Sequence, residues 1–233
     1  MTSFSKLFKE NQFPKIAALL LLLLLLAVGA VPGYMKGRWQ WQALPALTNQ
    51  KQLRQVRHQG LNVPGWQTLE QSEQQIGGRK WSMQILKKQG TKTQAILFLL
   101  PQSQSKDQPE VEWTEINGWQ QWDVAQYRLG EFNVKPQAKL NTEVKVEARF
   151  FRASTNKETF AVLQWYAMPN GGNPSPLRWY LADQFAQLHK QRAPWVGVSI
   201  MIPMEPLGQV ETTWSEAKSI GETVQRALMA GPL

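Results

Sequence analysis

The chain has 233 residues, no cysteine, two histidines and a net charge of +9, with 42% hydrophobic and 18% charged residues. Without cysteine there are no thiol nucleophiles, disulfide frameworks or thiolate metal sites, and two histidines offer little for a zinc centre of the usual kind. Eleven tryptophans and nine phenylalanines supply enough apolar area to offset chain entropy, which excludes disorder of the whole chain and suits one ordinary domain with a short appendage.

The first element is the run Ile16–Val31, which contains eight consecutive leucines and no polar side chain. It has two readings. As an uncleaved membrane anchor it falls a little short of the roughly 20 residues that cross about 30 Å of hydrocarbon, and Phe13, Pro14, Pro32 and Gly33 lengthen it at both ends. As a signal peptide it has a basic leader in Lys6, Lys9 and Lys15 and small residues at Val28-Gly29-Ala30. The length of the leucine core favours the anchor, and both readings export the remainder. The three lysines before the run against Lys36 and Arg38 after it place the N-terminus in the cytoplasm and the main body in the periplasm, at the inner (plasma) membrane.

Basic charge is concentrated after the run. Residues 36–92 carry 10 basic and 2 acidic side chains, whereas residues 93–233 carry 13 and 14. Anionic lipid headgroups are the natural partner for such a segment, at about 1 kcal/mol per basic side chain. Nucleic acid is excluded by the neutral main body and by the lack of helix-turn-helix or finger spacing. Trp39 and Trp41 suit an interfacial anchor, with indole rings among headgroups. From Thr48 to Gln59 the pattern predicts a helix capped by Thr48 and ended by Gly60, with Leu53 and Val56 on one side and Lys51, Arg54 and Arg57 on the other. That basic side is either a contact for membrane or partner, or a solvated face.

Beyond Gly60 the chain reads as strands. Gly77-Gly78 precedes a strand at Lys80–Lys88, and Gln94–Leu100, continuously apolar, belongs in the centre of a sheet. Pro101–Pro109 is a loop. Val111 and Trp113 alternate with glutamates in a short strand ended by Asn117-Gly118. Glu143–Arg152 alternates strictly, and Thr159–Met168 is rich in aromatic and β-branched residues, so both are strands. A helix over Leu177–Lys190, a strand over Trp195–Ile202 and a helix from Thr213 complete the chain. Thr213-Trp214-Ser215-Glu216 has the form of a capping box, and Trp214, Ala217, Ile220, Val224 and Leu228 make a continuous apolar stripe. The fold class is α+β: an N-terminal transmembrane helix, then one exported domain with a mainly antiparallel sheet and two C-terminal helices. The organisation reads as anchor 1–35, basic juxtamembrane segment 36–60 and exported domain 61–233.

Motifs of catalysis are missing: no phosphate-cradling, dinucleotide, nucleophile-elbow or paired-histidine pattern occurs. Asp183 and His189 are six positions apart on a helix, hence on different sides, and read as structural. His58 reads as a surface residue. The expected set of catalytic, cofactor and metal residues is empty. The tryptophans Trp66, Trp81, Trp113, Trp165, Trp179 and Trp195 read chiefly as core, with the remaining alternative of a carbohydrate or peptide groove. An enzyme or carrier acting on exported polysaccharide, with an acidic pair such as Glu112 and Glu115, stands as the second functional reading.

Pro32-Gly33-Tyr34 with Gly37 and Trp39-Gln40-Trp41, Val63-Pro64-Gly65-Trp66, Ile76-Gly77-Gly78 with Trp81-Ser82, Leu99-Leu100-Pro101-Gln102, Ala148-Arg149-Phe150-Phe151-Arg152, Thr159–Ala167, Pro194-Trp195-Val196 and Glu205-Pro206-Leu207-Gly208 are similar to motifs of the cyanoexosortase B system-associated proteins. The resemblance spans about Pro32 to Leu228. It implies a cyanobacterial exosortase accessory protein: a single-pass, outward-facing partner of a multispanning membrane protease that processes proteins with a C-terminal Pro-Glu-Pro signal, in loci linked with exopolysaccharide production. The catalytic cysteine of such a system belongs to the exosortase, so the resemblance carries no catalytic residue to this chain. Pro203-Met204-Glu205-Pro206 resembles the sorting signal, but no hydrophobic span comes after it, and it reads as a turn. The expected partners are an exosortase, membrane lipids and polysaccharide; no cofactor is expected.

Overall fold

Phe13–Met35 forms one continuous helix, α1. Its leucines Leu19–Leu26 are 52–62% exposed among the described residues. The computed structural model describes residues 13–35, 44–109, 113–135 and 143–233, and two units are distinct, Met1–Ala43 and Leu44–Leu233. Among the described residues no helix is long and apolar enough to cross a membrane. The unbroken apolar side chains described in α1, residues 16–28, cover about 20 Å at 1.5 Å per residue.

In the second unit, α2 (Gln50–Gln59) is followed by the antiparallel meander β1 (Trp66–Ile76), β2 (Arg79–Lys88) and β3 (Gln94–Pro101). Then come α3 (Thr114–Gln120), β4 (Asp123–Val134), β5 (Val144–Ser154), β6 (Thr159–Met168) and the short β7 (Gly171–Asn173). The chain ends in α4 (Pro176–Leu188), β8 (Val196–Pro203) and α5 (Trp214–Ala230). All eight strands form one sheet in the order β1-β2-β3-β8-β6-β7-β5-β4, with β5 also paired to β6. Every ladder is antiparallel except a single parallel bridge from Val146 to Gly172. The α+β class with a mainly antiparallel sheet therefore holds.

The period-two rule explains how the central strands are buried on both sides. Leu97 and Leu99 of β3, Leu163 and Trp165 of β6, and Val198 and Ile200 of β8 share one core with Leu53 and Val56 of α2 and with Ala217, Ile220, Val224 and Leu228 of α5. Phe98 and Leu100, Val162 and Tyr166, and Met201 face the other way, against Ile116 of α3 and Trp179 of α4. The two expected C-terminal helices are present and take opposite faces of the sheet. The apolar stripe read on α5 is buried as expected from Ala217 to Leu228.

Several local expectations need correction. Residues 110–112 lie outside the described residues, and Thr114–Gln120 is helix rather than strand: Asn117-Gly118, expected to end a strand, is inside α3. β1, β4 and the short β7, which falls where Asn170–Pro174 reads as a loop, add three strands to those expected from the sequence. The helix α2 starts at Gln50 behind Asn49 rather than Thr48, and Gly60 ends it with φ +75°, a conformation that suits glycine. Thr213 makes no side-chain cap, because a 3-10 turn at Val210–Thr213 runs straight into α5 and leaves no extended residue to cap. Met204–Gln209 is a turn region, closed by Gly208 N–H donating to Glu205 O at 2.9 Å. The basic helix α2 belongs to the same compact unit as the sheet, anchored by its buried Leu53 and Val56.

Candidate functional site

On the face of the sheet that carries α3 and α4, the β4–β5 edge remains open and forms a groove of about 800 Å³. Its floor is Tyr127 and Leu129 of β4 with Glu147 and Arg149 of β5. One wall is α3 with its flanks, and the other is the Asn173–Ser175 segment between β7 and α4.

Each wall is set by a local constraint. Trp113 and Gln121 bracket α3, both in the left-handed region at φ 59° and 52°. Non-glycine residues held there cost about 1–3 kcal/mol each, so the surroundings must over-determine them. For Trp113 those surroundings are visible: its ring stacks on Tyr166 at 4.4 Å between centroids, and its Nε1 donates to Pro174 O at 3.2 Å. That bond ties the two walls together. Gln164, buried in β6, donates through Nε2 to Asn117 Oδ1 and Ser199 Oγ, both at 3.2 Å, and so fixes α3 to the sheet. Gly171 holds φ +127°, and a Cβ there would sit 2.3 Å from Lys145 O, so only glycine lets β7 approach β5 and set the second wall.

The floor is shaped by an irregularity in β4. The register slips between Ala125 and Arg128, where Gln126 takes φ 52°. Gln126 Oε1 accepts from Val210 N at 2.8 Å, and its Nε2 donates to Gln209 at 3.1 Å, which holds the bulge in place. The bulge re-aims the next side chain, and Tyr127 is 53% exposed in the groove. The Arg149 guanidinium lies 5.5 Å from the Tyr127 ring centroid and 5.6 Å from that of Phe151. Trp122 meets Phe151 edge-on at 5.9 Å, and its indole N–H is buried without a hydrogen-bond acceptor among the described residues.

The groove thus presents aromatic faces and edges, side-chain amides, one carboxylate and one guanidinium. The hydroxyl of Ser175 is occupied, accepting from Leu177 N at 3.3 Å as the α4 cap. Among the described residues no group of three or more His, Asp or Glu side chains is placed to hold a metal ion. Groups of these kinds can stack on a ring and exchange hydrogen bonds with a polar ligand.

The residues expected from the sequence fall elsewhere. Trp39 and Trp41 lie outside the described residues. Lys51 and Arg54 are exposed on α2, but Arg57 is only 18% exposed and turns inward: its Nη1 donates to Ser103 Oγ at 3.3 Å, and its Nε lies 3.8 Å from Glu73. The three do not form one solvent-facing basic stripe. His58 Nδ1 also pairs with Glu73. Glu112 lies outside the described residues, and Glu115 is absent from the groove lining, packed instead over Gly77. Asp183 is structural as read, paired with Arg192. All six tryptophans read as core are buried. What sequence reasoning missed is the β4 contribution, since Tyr127 and Leu129 sit in a stretch without a clean period and the left-handed residues leave no sequence signal.

No protein-family model, curated protein or solved structure matches the chain.

Proposed function

We propose that this protein is a membrane-anchored, non-catalytic accessory protein of a cyanobacterial exosortase system, whose periplasmic domain binds the exosortase, its substrates or polymer at the outer face of the inner membrane. The observation that carries the reading is the open groove between α3 and the β4–β5 edge, which offers recognition groups to an extended chain. Its ionisable side chains, Tyr127, Glu147 and Arg149, include no pair of carboxylates for acid-base work. The exposed leucines of α1 and the lysines before them support anchoring with the N-terminus inside. The motifs shared in likeness with the cyanoexosortase B system-associated proteins supply the pathway.

The test is a mild-detergent co-purification of the tagged full-length protein from its native membrane, with a photo-crosslinking amino acid in place of Tyr127. The expected result is a crosslink to an exosortase or to a protein bearing its sorting signal. Recovery of a glycan or a polysaccharide synthase, with no membrane protease, replaces this reading by one of exported polysaccharide chemistry.

A further inference from the structure

The helix α4 is apolar on two sides. Its inner side, Trp179, is buried against the sheet. Its outer side carries Leu177, Tyr180, Leu181, Phe185 and Leu188, all 48–78% exposed. At 100° per residue these five fall within an arc of about 140°, broken only by Gln184, so they form one stripe along the helix. The stripe is held outward by a rigid seat: Ser175 caps the N-terminus, Trp179 Nε1 donates to Ala193 O at 2.9 Å, and Asp183 is locked to Arg192 at 2.7 Å. It is therefore a fixed surface feature of the domain.

We infer that α4 is an interfacial helix that lays this stripe into the headgroup boundary of an anionic bilayer. Two observations choose lipid over a protein occupant. The charges exposed on and just after the helix are basic: Arg178 and, beyond Leu188, Lys190; the one acidic residue of the helix, Asp183, is buried and paired. An exposed face of leucine, phenylalanine and tyrosine with one basic side chain beside it and another just past its end can lie in the interface plane, about 5–10 Å deep. The stripe is also small, five side chains where a stable protein interface engages about 20–30 residues a side. The inference rests on the membrane-anchored reading only for the setting, because the chain would then have a bilayer beside this domain.

The cysteine-free sequence makes the test direct. Single cysteines are introduced by Phe185→Cys, by Leu22→Cys in α1 and, as a control, by Lys157→Cys in the exposed β5–β6 turn. Each full-length protein is labelled with an environment-sensitive dye and placed in nanodiscs of phosphatidylglycerol and phosphatidylethanolamine that carry a nitroxide quencher at a shallow acyl-chain position or, for the label at 22, at a deep one. The expected result is several-fold stronger quenching at position 185 than at 157, reduced when phosphatidylcholine replaces the anionic lipid. Quenching at 185 no greater than at 157 overturns the inference, whatever position 22 reports. A label at 185 shielded only when native membrane proteins are added also overturns it, in favour of a protein partner. Position 22 reads the anchor separately: an unquenched label there counts against the anchor and not against α4. The double variant Leu181→Gln with Phe185→Gln, expected to melt within a few degrees of the parent because both sites are exposed, should lose the lipid contact of the rest of the stripe, read by a label at Leu188→Cys.

Discussion

Asp183 and Arg192 are each 2% exposed, and the carboxylate is fully engaged. Oδ1 accepts from Arg192 Nε at 2.7 Å and from Ala193 N at 3.0 Å, while Oδ2 accepts from Gln187 Nε2 at 2.7 Å. Arg192 also donates to Ser105 O, so the pair joins α4, the approach to β8 and the loop after β3. Removing one partner leaves an uncompensated buried charge, and Asp183→Ala should destabilise the protein by about 3–5 kcal/mol, read as a lower urea midpoint. Replacing both, Asp183→Leu with Arg192→Met, should recover most of that loss. A single variant as stable as the parent would show that the pair is not the clamp described. Similar polar clamps recur: Gln225 accepts from Trp165 Nε1 at 2.8 Å and donates to Gly171 O at 3.0 Å, linking α5 to the strand turn that sets the groove wall.

At the scale of elements, the groove depends on β4 and α3, which are also the elements least readable from sequence. Tyr127 and Leu129 are exposed, so Tyr127→Ser with Leu129→Ser, in a protein without the crosslinker, should leave the melting temperature nearly unchanged while cutting the partner recovered by co-purification several-fold. Unchanged recovery, with the protein folded, removes the groove from the functional reading. The central strands are legible because burial on both faces demands long apolar runs: Ala95–Leu100 is unbroken and Phe160–Met168 is interrupted only by Gln164. The edge strands are not. β1, with Gln67, Glu70, Gln71, Glu73, Gln74 and Gln75, is polar because much of it faces water, and its strand character comes from pairing with β2 rather than from a pattern. Before and within α3 the alternation of Val111 and Trp113 with glutamates gives the wrong period, and the left-handed Trp113 is stabilised by Tyr166 and Pro174, residues far away in sequence. Helix α5 is legible because only one side is apolar. Helix α4 is ambiguous because two sides are, and sequence period alone cannot say which is covered.

For the whole molecule the two units pose different problems. The leucines Leu19–Leu26 of α1 are exposed among the described residues, whereas Leu44–Leu233 buries two cores on a single sheet. If α1 is a single-pass anchor with its N-terminus inside, Lys157→Cys should react with a membrane-impermeant maleimide in intact spheroplasts, and Ser3→Cys should react only after lysis. The reverse pattern, or equal labelling of both, contradicts the topology. The apolar character of α1 is legible from composition alone, since eight consecutive leucines need no tertiary context, while the site on the domain requires the fold.

The position of β8 in the sheet has a consequence for how the domain is made. It pairs with β3 on one side and β6 on the other, so among the described residues it is the strand that joins the β1–β3 meander to the β4–β7 group. A chain delivered N-terminus first completes β3 at Pro101 and must wait until Val196 for the strand that covers it. Until then β3 and β6 lack the strand that pairs with both in the folded sheet, and their unpaired edges are open to the wrong strand or to another chain. The high sequence separation of the closing contacts makes assembly late and slow, and exposes the nascent domain to strand exchange until its last strand arrives.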